Sequence, residues 1–579
     1  MFKAGTMKSI LSLLVLSLLF LQGMTAVCQS RSGPARRAMT RAVEAYQAGD
    51  NERALAEARR ALQRDPDFLE AHLLKAEIYS GTGRFAKSAA AYREVVRLNP
   101  TAYPQAHYFL GYSLMRTGQY REARQSFMDF LETPSASTTL LELTQSHLAR
   151  CQFAIRAMED PVPFQPENLG QGVNSPYAEY SPALTIDGNT LIFTRRRPSD
   201  PVSGRGPETE DFYVSHREDG QWGAATNLGP PINTPANEGA QSISADGREL
   251  FFTACGRPGG FGSCDLYYSR LVDGHWTEPV NLGTPVNSAA WDSHPSISAD
   301  GKTLYFSSGR QGSIGPMDIW KTVWVDGQGW GIPVNLGQTI NTGGREMSPF
   351  IHPDGQTLYF ASDGHMGMGG LDLFFSRRDR NGNWTEPVNL GYPINTHADE
   401  FSLVVDARGR LAYYASDIGG GFGDLDLYVF ELYEEARPRP VAAITGLATG
   451  TGEAGEPESL TIIAEGEPVV LRNIFFDTDS HALRPESMEE IRRLYQVLYD
   501  KPEWNVEISG HTDNVGTYDY NLALSEHRAR SVVDALAAMG IDPERMSYNG
   551  NADTRPVDTN ETAEGRANNR RTEFTVVRF

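Results

Sequence analysis

"WTEPVNLG", residues 276–283, belongs to a repeat that sets the fold of the middle of the chain. Trp222, Trp276, Trp330 and Trp384 are each separated by 54 residues, and an Asn-Leu-Gly triplet begins five residues after each of them. Each copy predicts four short strands, with an Asp-Gly turn between the first two and a Gly-rich turn before the third. Four-stranded units in series are typical of propeller blades.

The number of units follows from the turn that ends each first strand. Five such turns contain Asp187, Asp246, Asp300, Asp354 and Asp406. The fifth copy lacks its last strand, whereas "FQPENLG", residues 164–170, matches that strand and precedes the first unit. A ring closed by this segment leaves no exposed edge strand. We therefore predict a five-bladed all-β propeller over residues 160–436, in which the N-terminal segment completes the last blade.

The units resemble the PD40-type repeat of TolB-like propellers, and the signature and shorter period of WD40 repeats are absent. Their Gly-rich turns, such as "SDGHMGMGGLD" at residues 362–372, raise the question of calcium binding. Calcium requires six to eight oxygen ligands at one point, whereas these aspartates occur once per unit. We therefore predict that they serve the turns and that no metal is bound.

An earlier part of the chain carries a helical repeat. Gly49, Gly83 and Gly118 lie 34 and 35 residues apart, within an apolar pattern of helical period. The pattern over residues 34–158 resembles the tetratricopeptide repeat (TPR), an α-solenoid in which small residues let paired helices approach. The resemblance implies a groove for a partner's peptide, and a spacer is the alternative. A final helix within residues 140–158 would cover the open end.

The last part of the chain, residues 467–579, alternates strand and helix patterns and predicts a small α+β sandwich. Asp513 directly follows a predicted strand, and Asn521, Ser525 and Arg528 share one face of the next helix. An Asp and an Arg held in one recess suit a ligand that carries both an ammonium and a carboxylate. The alternative is that the two side chains simply pair with each other.

Four motifs in this part resemble the OmpA-like peptidoglycan-binding domain: "FFDTDS", "GHTDNVG", "YNLALSEHRA" and "EGRANNRRTEF". The resemblance implies binding of meso-diaminopimelate, a residue of the peptidoglycan stem peptide whose side chain ends in an amine and a carboxylate. It assigns the amine to Asp513 and the carboxylate to Arg528. The rim of the site would be completed by Asp479, Asn521 and one of the pair Arg570 and Arg571.

The charge balance limits the partners. With 52 basic and 73 acidic residues the formal net charge is −21, which argues against a nucleic-acid partner and against a polybasic membrane surface. A local pocket must therefore carry any binding to the anionic cell wall. No G-x-S-x-G, H-E-x-x-H or P-loop motif occurs, so we predict no enzyme and no cofactor. The competing hypotheses are a glycan- or peptide-sensing propeller tethered to the wall, and a cell-wall hydrolase.

The first residues have the pattern of an export signal, assigned to residues 1–28. Lys3 and Lys8 precede an apolar run from Ile10 to Leu21, which is too short to span a bilayer. Two cleavages compete, one at Cys28 that would leave a lipid-modified cysteine and one just after it. Membrane contact is expected only through that lipid or through a partner protein.

Two further features concern the connections. Cys255 and Cys264 flank a Gly-rich turn, and in an exported protein they either form a disulfide or remain two free thiols. Cys151 lies in a helical pattern and is expected to be a buried apolar residue. Residues 437–466 are rich in Gly, Ala, Pro, Thr and Glu, and they are predicted to be a linker.

The order of the three parts resembles PorE-type components of the type IX secretion system. Together these features predict a non-enzymatic anchor and scaffold in the Gram-negative periplasm, associated with the outer membrane and peptidoglycan. Its TPR and propeller surfaces are expected to meet outer-membrane or periplasmic proteins, with components of type IX secretion among the expected partners.

Overall fold

A computed structural model describes residues 30–133, 138–200, 205–417, 421–445, 460–471, 473–477 and 480–579. The predicted signal segment with Cys28, and also Asp479, lie outside the described residues. The chain forms two compact units. The first contains the described residues up to Val162 with His365–Leu373 and Asn389–Glu400, and the second contains Pro163–Gly364, Phe374–Val388 and Phe401–Phe579.

The N-terminal part of the first unit is helical. The described helices are α1 (Gly33–Gln47), α2 (Asn51–Arg64), α3 (Leu69–Gly81), α4 (Phe85–Leu98), α5 (Gln105–Met115), α6 (Tyr120–Glu132) and α7 (Thr138–Glu159). Helix α7 covers the segment predicted as the final helix. In the part of the chain that the structure describes, no helix is long and apolar enough to cross a membrane.

The repeated glycines of this helical part serve the turns rather than the helix crossings. Gly49, Gly83 and Gly118 have φ angles of +79°, +74° and +73°, which side chains rarely adopt. The close approach between helices occurs instead at Gly111, where an added Cβ would lie 2.9 Å from the ring of Phe127. Cys151 is a buried free thiol, as predicted.

The middle of the chain contains five antiparallel sheets. The first has β2 (Ala178–Leu184), β3 (Thr190–Asp200), β4 (Arg205–Glu218), β5 (Gln221–Trp222) and β6 (Thr226–Asn227). The second has β7 (Asn237–Ile243), β8 (Glu249–Cys255), β9 (Cys264–Val272), β10 (His275–Trp276) and β11 (Val280–Asn281). The third has β12 (Asp292–Ile297), β13 (Thr303–Ser308), β14 (Asp318–Val325), β15 (Gly329–Trp330) and β16 (Val334–Asn335).

The fourth sheet has β17 (Glu346–Ile351), β18 (Thr357–Ser362), β19 (Asp372–Arg377) and β20 (Val388–Asn389). The fifth has β21 (Val404–Val405), β22 (Leu411–Ser416) and β23 (Asp426–Glu431), and β1 (Glu167–Asn168) is its fourth strand. Strand β1 pairs antiparallel with β23, with Glu167 opposite Val429 and Asn168 opposite Tyr428. The segment before the first unit therefore completes the last sheet.

In the second to fifth sheets the aspartate that opens the third strand holds the preceding turn, whereas Asp211 of the first sheet lies within β4 and pairs with Arg197. Asp265 accepts hydrogen bonds from the backbone N–H of Phe261 and Gly262 at 2.6 and 3.0 Å. Asn281 of the Asn-Leu-Gly triplet donates to the same carboxylate at 3.2 Å. Equivalent backbone hydrogen bonds reach Asp318 and Asp426. The predicted turn role of these aspartates is thus confirmed.

One feature of the sheets was not predicted. A non-glycine residue with positive φ, between 49° and 59°, lies in the first strand of each of the first four sheets and two residues before β21 in the fifth, and these residues are Ser181, Ala240, His294, Ser348 and Ser402. In the first four sheets the pairing register shifts at this point. The shift is a β-bulge, which bends the strand locally.

The connections differ in part from the sequence predictions. Cys255 and Cys264 lie opposite each other on β8 and β9 and are joined by a disulfide. Within the predicted linker 437–466, β24 (Val441–Thr445) pairs antiparallel with β25 (Leu460–Ala464). Three of the five residues in each strand are β-branched, which favours strand pairing over an open chain.

The C-terminal domain is a four-stranded sheet with helices. Its elements are β26 (Pro468–Leu471), α8 (Ser487–Asp500), β27 (Asn505–Gly510), α9 (Tyr518–Met539), β28 (Met546–Gly550), α10 (Ala563–Asn569) and β29 (Thr572–Arg578). The strand order is β26-β29-β27-β28, and β27 and β28 are parallel. Gly540, with φ of +111°, ends α9. Helix α10 was not predicted.

Two glycines bring α9 close to the sheet. A Cβ added to Gly510, the last residue of β27, would lie 2.1 Å from the carbonyl oxygen of Ser525. At Gly550, the last residue of β28, it would lie 2.7 Å from the backbone nitrogen of Glu526. Only glycine permits this approach, so the ends of β27 and β28 fix where the middle of α9 lies.

Candidate functional site

The C-terminal domain contains a recess of about 1100 Å³. Five of the six residues predicted for the ligand site line it: Asp513, Asn521, Arg528, Arg570 and Arg571. The sixth, Asp479, lies outside the described residues. The recess lies beside the middle of α9, which the approach at Gly510 and Gly550 holds in place.

Asp513 lies in the loop that follows β27 and is 8% exposed. One carboxylate oxygen accepts a hydrogen bond from the backbone N–H of Val515 at 3.0 Å. The other forms an ion pair with Arg570 at 2.5 Å. The ion pair of Asp513 is therefore made with Arg570, whereas the alternative considered from the sequence was a pair with Arg528.

Arg528 lies on α9 and is 9% exposed. Its Nε donates to the carbonyl of Ser480 at 3.0 Å, and a terminal nitrogen donates to the carbonyl of Asp477 at 3.3 Å. The guanidinium also lies 5.1 Å from the centre of the Phe476 ring. These contacts hold the planar guanidinium in one orientation at the wall of the recess.

Asn521 supports the site from the side. Its amide nitrogen donates to the backbone carbonyl of Asp513 at 3.2 Å, and its side chain is almost fully buried. The hydrogen bond ties the loop after β27 to the first turns of α9. Asn521 thus positions Asp513, although the sequence prediction placed it on the rim.

The two consecutive arginines have different surroundings. Arg570 is 46% exposed and reaches Asp513, whereas Arg571 is 6% exposed and pairs with Glu573 at 2.7 Å. His511 Nε2 lies 3.1 Å from the same glutamate, without the alignment of a hydrogen bond. Burial acts to raise the pKa of Glu573, but His511 and Arg571 outweigh it and hold that pKa below its usual value. Of the two arginines, Arg570 is the one available to a ligand.

Several lining residues were missed by the sequence predictions. Apolar side chains that are 44–64% exposed surround the charged groups, and they are Phe475, Val515, Tyr520 and Val557. Asn569 is fully buried and accepts from the backbone N–H of Val557 and Asp558, which shapes the loop on one side of the recess. The two consecutive asparagines in "RANNRR" were the available signal.

The arrangement offers opposite charges at separate points of one recess. Arg528 presents donors for a carboxylate, and Arg570 adds a second, more exposed guanidinium. Asp513 offers a carboxylate that an ammonium can share with Arg570. The exposed apolar side chains around these groups suit the aliphatic and peptide portions of a ligand. The chemistry fits a zwitterionic group carried on a larger molecule.

Comparisons with known proteins identify this domain. The OmpA family matches residues 475–570, and the tetratricopeptide repeat matches residues 39–103 and 80–135. The "Outer membrane protein A" of Bordetella avium is 36% identical over 138 residues, which cover 24% of this chain and 71% of that protein. The chain belongs to the OmpA family.

Other relatives match the same part of the chain. The "Probable lipoprotein YiaD" of Escherichia coli (strain K12) is 32% identical over 162 residues, covering 28% of this chain and 66% of that protein. The "Peptidoglycan-associated lipoprotein" of Brucella suis biovar 1 is 34% identical over 112 residues, covering 19% and 63%. The chain therefore spans slightly less than two thirds of the length of these two relatives.

Solved structures are similar over a comparable stretch. The cell wall anchor of the T6SS from Pseudomonas aeruginosa is 36% identical, with a TM-score of 0.17, and the match covers 19% of this chain and 80% of that one. The peptidoglycan-associated lipoprotein from Burkholderia pseudomallei is 30% identical, with a TM-score of 0.17, and covers 18% and 86%.

Proposed function

We propose that this protein is a non-enzymatic anchor that binds peptidoglycan through the meso-diaminopimelate residue of the stem peptide. The observation that carries the proposal is the recess in which Asp513, Arg528 and Arg570 lie together. The names of relatives in the OmpA family, which include peptidoglycan-associated lipoproteins and a peptidoglycan-binding protein, support it. The protein is periplasmic and associated with the outer membrane and peptidoglycan, as predicted from the sequence.

The charges define how the ligand would bind. The ammonium of the diaminopimelate side chain pairs with the Asp513 carboxylate, and the ligand carboxylate on the same carbon pairs with the Arg528 guanidinium. In the free protein Arg570 forms an ion pair with Asp513. In the complex Arg570 would add a second donor for the ligand carboxylate. A stem peptide with lysine lacks that carboxylate and would leave Arg528 without its ligand partner, costing about 1–3 kcal/mol.

Co-sedimentation of the full chain with purified sacculi tests this proposal. Arg528→Ala and Asp513→Ala are each expected to abolish pelleting with diaminopimelate-type sacculi, and wild-type pelleting with lysine-type sacculi should be weak. Arg530→Ala is the matched control, because Arg530 lies on the same helix in an exposed pair with Asp534. Unchanged pelleting of both site variants, with an intact fold by circular dichroism, would reject the site.

We further propose that the five sheets are the blades of one five-bladed propeller. The first strand of every sheet contributes to a single cavity of about 80 Å³, through Ser181, Ala240, His294 and Ser348 in the first four sheets and Val404 in the fifth. The pairing of β1 with β23 supports closure, because it supplies the fifth sheet with a strand from the other end. A crystal structure of the full chain tests this, and sheets that do not enclose a common axis would contradict it.

The helical repeats and the propeller would present surfaces to partner proteins. The order of the three parts favours outer-membrane components of the type IX secretion system as those partners. Crosslinking in cells followed by mass spectrometry tests this with the full chain and with a chain lacking residues 34–158. Crosslinks to secretion components that persist only in the full chain support the proposal, and their absence from both chains contradicts it.

The proposal also excludes catalysis on the wall. Incubation of the purified protein with sacculi should release no soluble muropeptides above a buffer control. Release that depends on the protein would overturn the anchor in favour of a hydrolase.

A further inference from the structure

A second recess, of about 520 Å³, lies in the second unit and is strongly basic. Six arginines line it: Arg377, Arg378, Arg408, Arg410, Arg437 and Arg439. The acidic residues among its lining are Asp354 and Glu434. Such a cluster is unexpected in a chain with a net charge of −21, and the wall-binding recess does not involve it.

The turn before β22 shows that the fold does not require this charge. In every sheet the turn is closed by a glycine N–H that donates to the carbonyl three residues earlier, as from Gly247 to Ser244 and from Gly409 to Asp406. The residue before the glycine is aspartate in the first four sheets and Arg408 in the fifth. Arg408 therefore reverses the charge found at this position in the other turns.

The aspartate of the other turns has a structural task that Arg408 does not perform. Asp246, for example, accepts the backbone N–H of Arg248 at 3.0 Å. In the fifth turn Asp406 does this instead, accepting from the backbone N–H of Arg410 and Leu411 at 2.8 Å. The side chain at position 408 is therefore not needed for the hydrogen bonds of this turn. Arg408 is exposed, and its side chain makes no hydrogen bond or ion pair with the described residues.

The neighbouring arginines are held around Arg408. Arg410 and Arg437 share Glu431, each at 2.9 Å, and Arg439 pairs with Glu467 at 2.6 Å. Glu431 and Glu467 are about half exposed, so these pairs are surface pairs of small energy. An anionic ligand can therefore engage the same guanidinium groups without breaking a buried ion pair.

Two other arginines form the fixed part of the wall. Arg377 donates to the carbonyls of Glu435 and Arg437 at 2.7 and 2.9 Å. Arg378 donates to the Tyr305 hydroxyl at 3.0 Å and lies 4.6 Å from the centre of the Trp384 ring. Their partners are neutral groups, so both keep their full positive charge beside the recess.

The acidic lining does not cancel these charges. Asp354 is fully buried, and its carboxylate accepts from the backbone N–H of Gln356, Thr357 and Arg439. Glu434 is exposed. Even with Glu431, Glu467 and the turn residue Asp406 counted, six guanidinium groups among the described residues face five carboxylates, and two of these, Asp354 and Asp406, are turned to backbone N–H groups.

We propose that this recess binds a phosphate group, carried either by a lipid head group or by a soluble phosphorylated molecule. Several guanidinium groups converging on one open recess match the multiple oxygens and the double charge of a phosphate monoester. A single carboxylate would satisfy only one guanidinium fork. The recess gives an otherwise acidic molecule a local site for an anion, and it is separate from the wall-binding function.

Arg408→Asp is the informative variant because it restores the residue that the other turns carry and leaves the turn hydrogen bonds of Asp406 intact. Arg248→Asp is the matched control, since it makes the same charge change at an exposed position of the second sheet's turn. Two probes are used with the full chain: inorganic phosphate by titration calorimetry, and flotation with phosphatidylcholine vesicles that contain phosphatidic acid, a lipid with a phosphate monoester, corrected for flotation with pure phosphatidylcholine vesicles.

We expect Arg408→Asp to weaken binding about tenfold or more, and Arg248→Asp to leave it unchanged. Loss of vesicle flotation in Arg408→Asp alone identifies a lipid head group as the source of the phosphate. Loss of saturable phosphate binding without any flotation identifies a soluble ligand. Binding of neither probe by the wild type, or equal binding by wild type and Arg408→Asp, would overturn the proposal.

Discussion

Asp513 and Arg528 are held by their surroundings in different ways. Asp513 shares its charge with the exposed Arg570, whereas Arg528 is fixed by backbone carbonyls and an aromatic ring. A ligand must therefore compete for Asp513 but meets a preoriented group at Arg528. Preorganised charge loses less conformational freedom on binding, so the proposed anchor should depend more on Arg528 than on Arg570.

Arg528→Lys tests this dependence. Lysine keeps the positive charge but loses the planar fork and its two fixed hydrogen bonds, so we expect affinity for diaminopimelate-type stem peptide to fall about tenfold or more. Arg570→Lys is the matched comparison and should cost less, because Arg570 is exposed. Titration calorimetry with a soluble muropeptide measures both, and an equal loss in the two variants would contradict the ranking.

Glu573 gives a prediction about how the stability of the C-terminal domain depends on pH. Its pKa is held below the usual value by His511 and Arg571, so its ionised form stabilises the folded domain. This contribution is present above the ordinary carboxyl pKa of about 4.3 and is lost as the pH falls through the lower folded pKa. At pH 7, Glu573→Gln should reduce stability by about 1–2 kcal/mol. Hydrogen exchange of β29 amides measures this, and the difference from wild type should shrink in acid.

At the scale of elements, the approach of α9 to the sheet links the fold to the site. Gly510 and Gly550 end two parallel strands directly beneath Ser525 and Glu526. Asn521 and Arg528 lie one turn to either side of this contact. Any residue larger than glycine would displace the helix and separate Arg528 from Asp513.

Gly510→Ala is therefore expected to lower stability by about 1–3 kcal/mol, because the new methyl group overlaps the Ser525 carbonyl. It should also weaken pelleting with sacculi even though Gly510 contacts no ligand. Gly343→Ala is the control, since an added Cβ at Gly343 meets nothing within 4 Å. Hydrogen exchange across β27 and co-sedimentation provide the two measurements. Wild-type values in both would show that the helix tolerates the displacement.

The disulfide between β8 and β9 gives a second prediction for an element. It closes a loop with a sequence separation of nine residues, so reduction should destabilise the second sheet by about 2–3 kcal/mol. The double variant Cys255→Ala, Cys264→Ala should be insensitive to added reductant. Limited proteolysis of the loop, with and without dithiothreitol, measures this. Equal cleavage of the oxidised and reduced wild type would contradict it.

The elements also show what the sequence could predict. The spacing of Trp276 and its counterparts predicts repeated units, and in four of the five copies the Asn of the Asn-Leu-Gly triplet donates to the aspartate of the third strand. In the fourth copy Asn389 donates to the carbonyl of Met366 instead. The positive φ at His294 could not be predicted, since the equivalent residues are serine or alanine and share no side-chain signal. The Asp513–Arg570 pair joins residues 57 apart in sequence, a contact that only the fold of the C-terminal domain creates.

At the scale of the whole molecule, charge separates two kinds of binding. A net charge of −21 cannot attract the anionic wall, so the proposed anchoring depends on short contacts inside a recess. Contacts between partly buried groups are screened less by salt than contacts on an open surface. The arginines of the second recess are exposed, so anion binding there should weaken more strongly as the salt concentration rises.

Raising NaCl from about 50 to about 200 mM should therefore reduce pelleting with sacculi less than about twofold. Phosphate binding by the recess around Arg408 should weaken several-fold over the same range. Parallel co-sedimentation and calorimetry on one preparation measure both. A steep loss of wall binding with salt would indicate diffuse attraction in place of a pocket.

The pairing of β1 with β23 has a mechanical consequence. The backbone enters the sheets next to Glu167 and leaves them just after Glu431, and these two points lie on neighbouring strands of one sheet. Backbone hydrogen bonds between β1 and β23 therefore clamp the two ends of the sheet region together, and a force that separates these ends meets that pair of strands first.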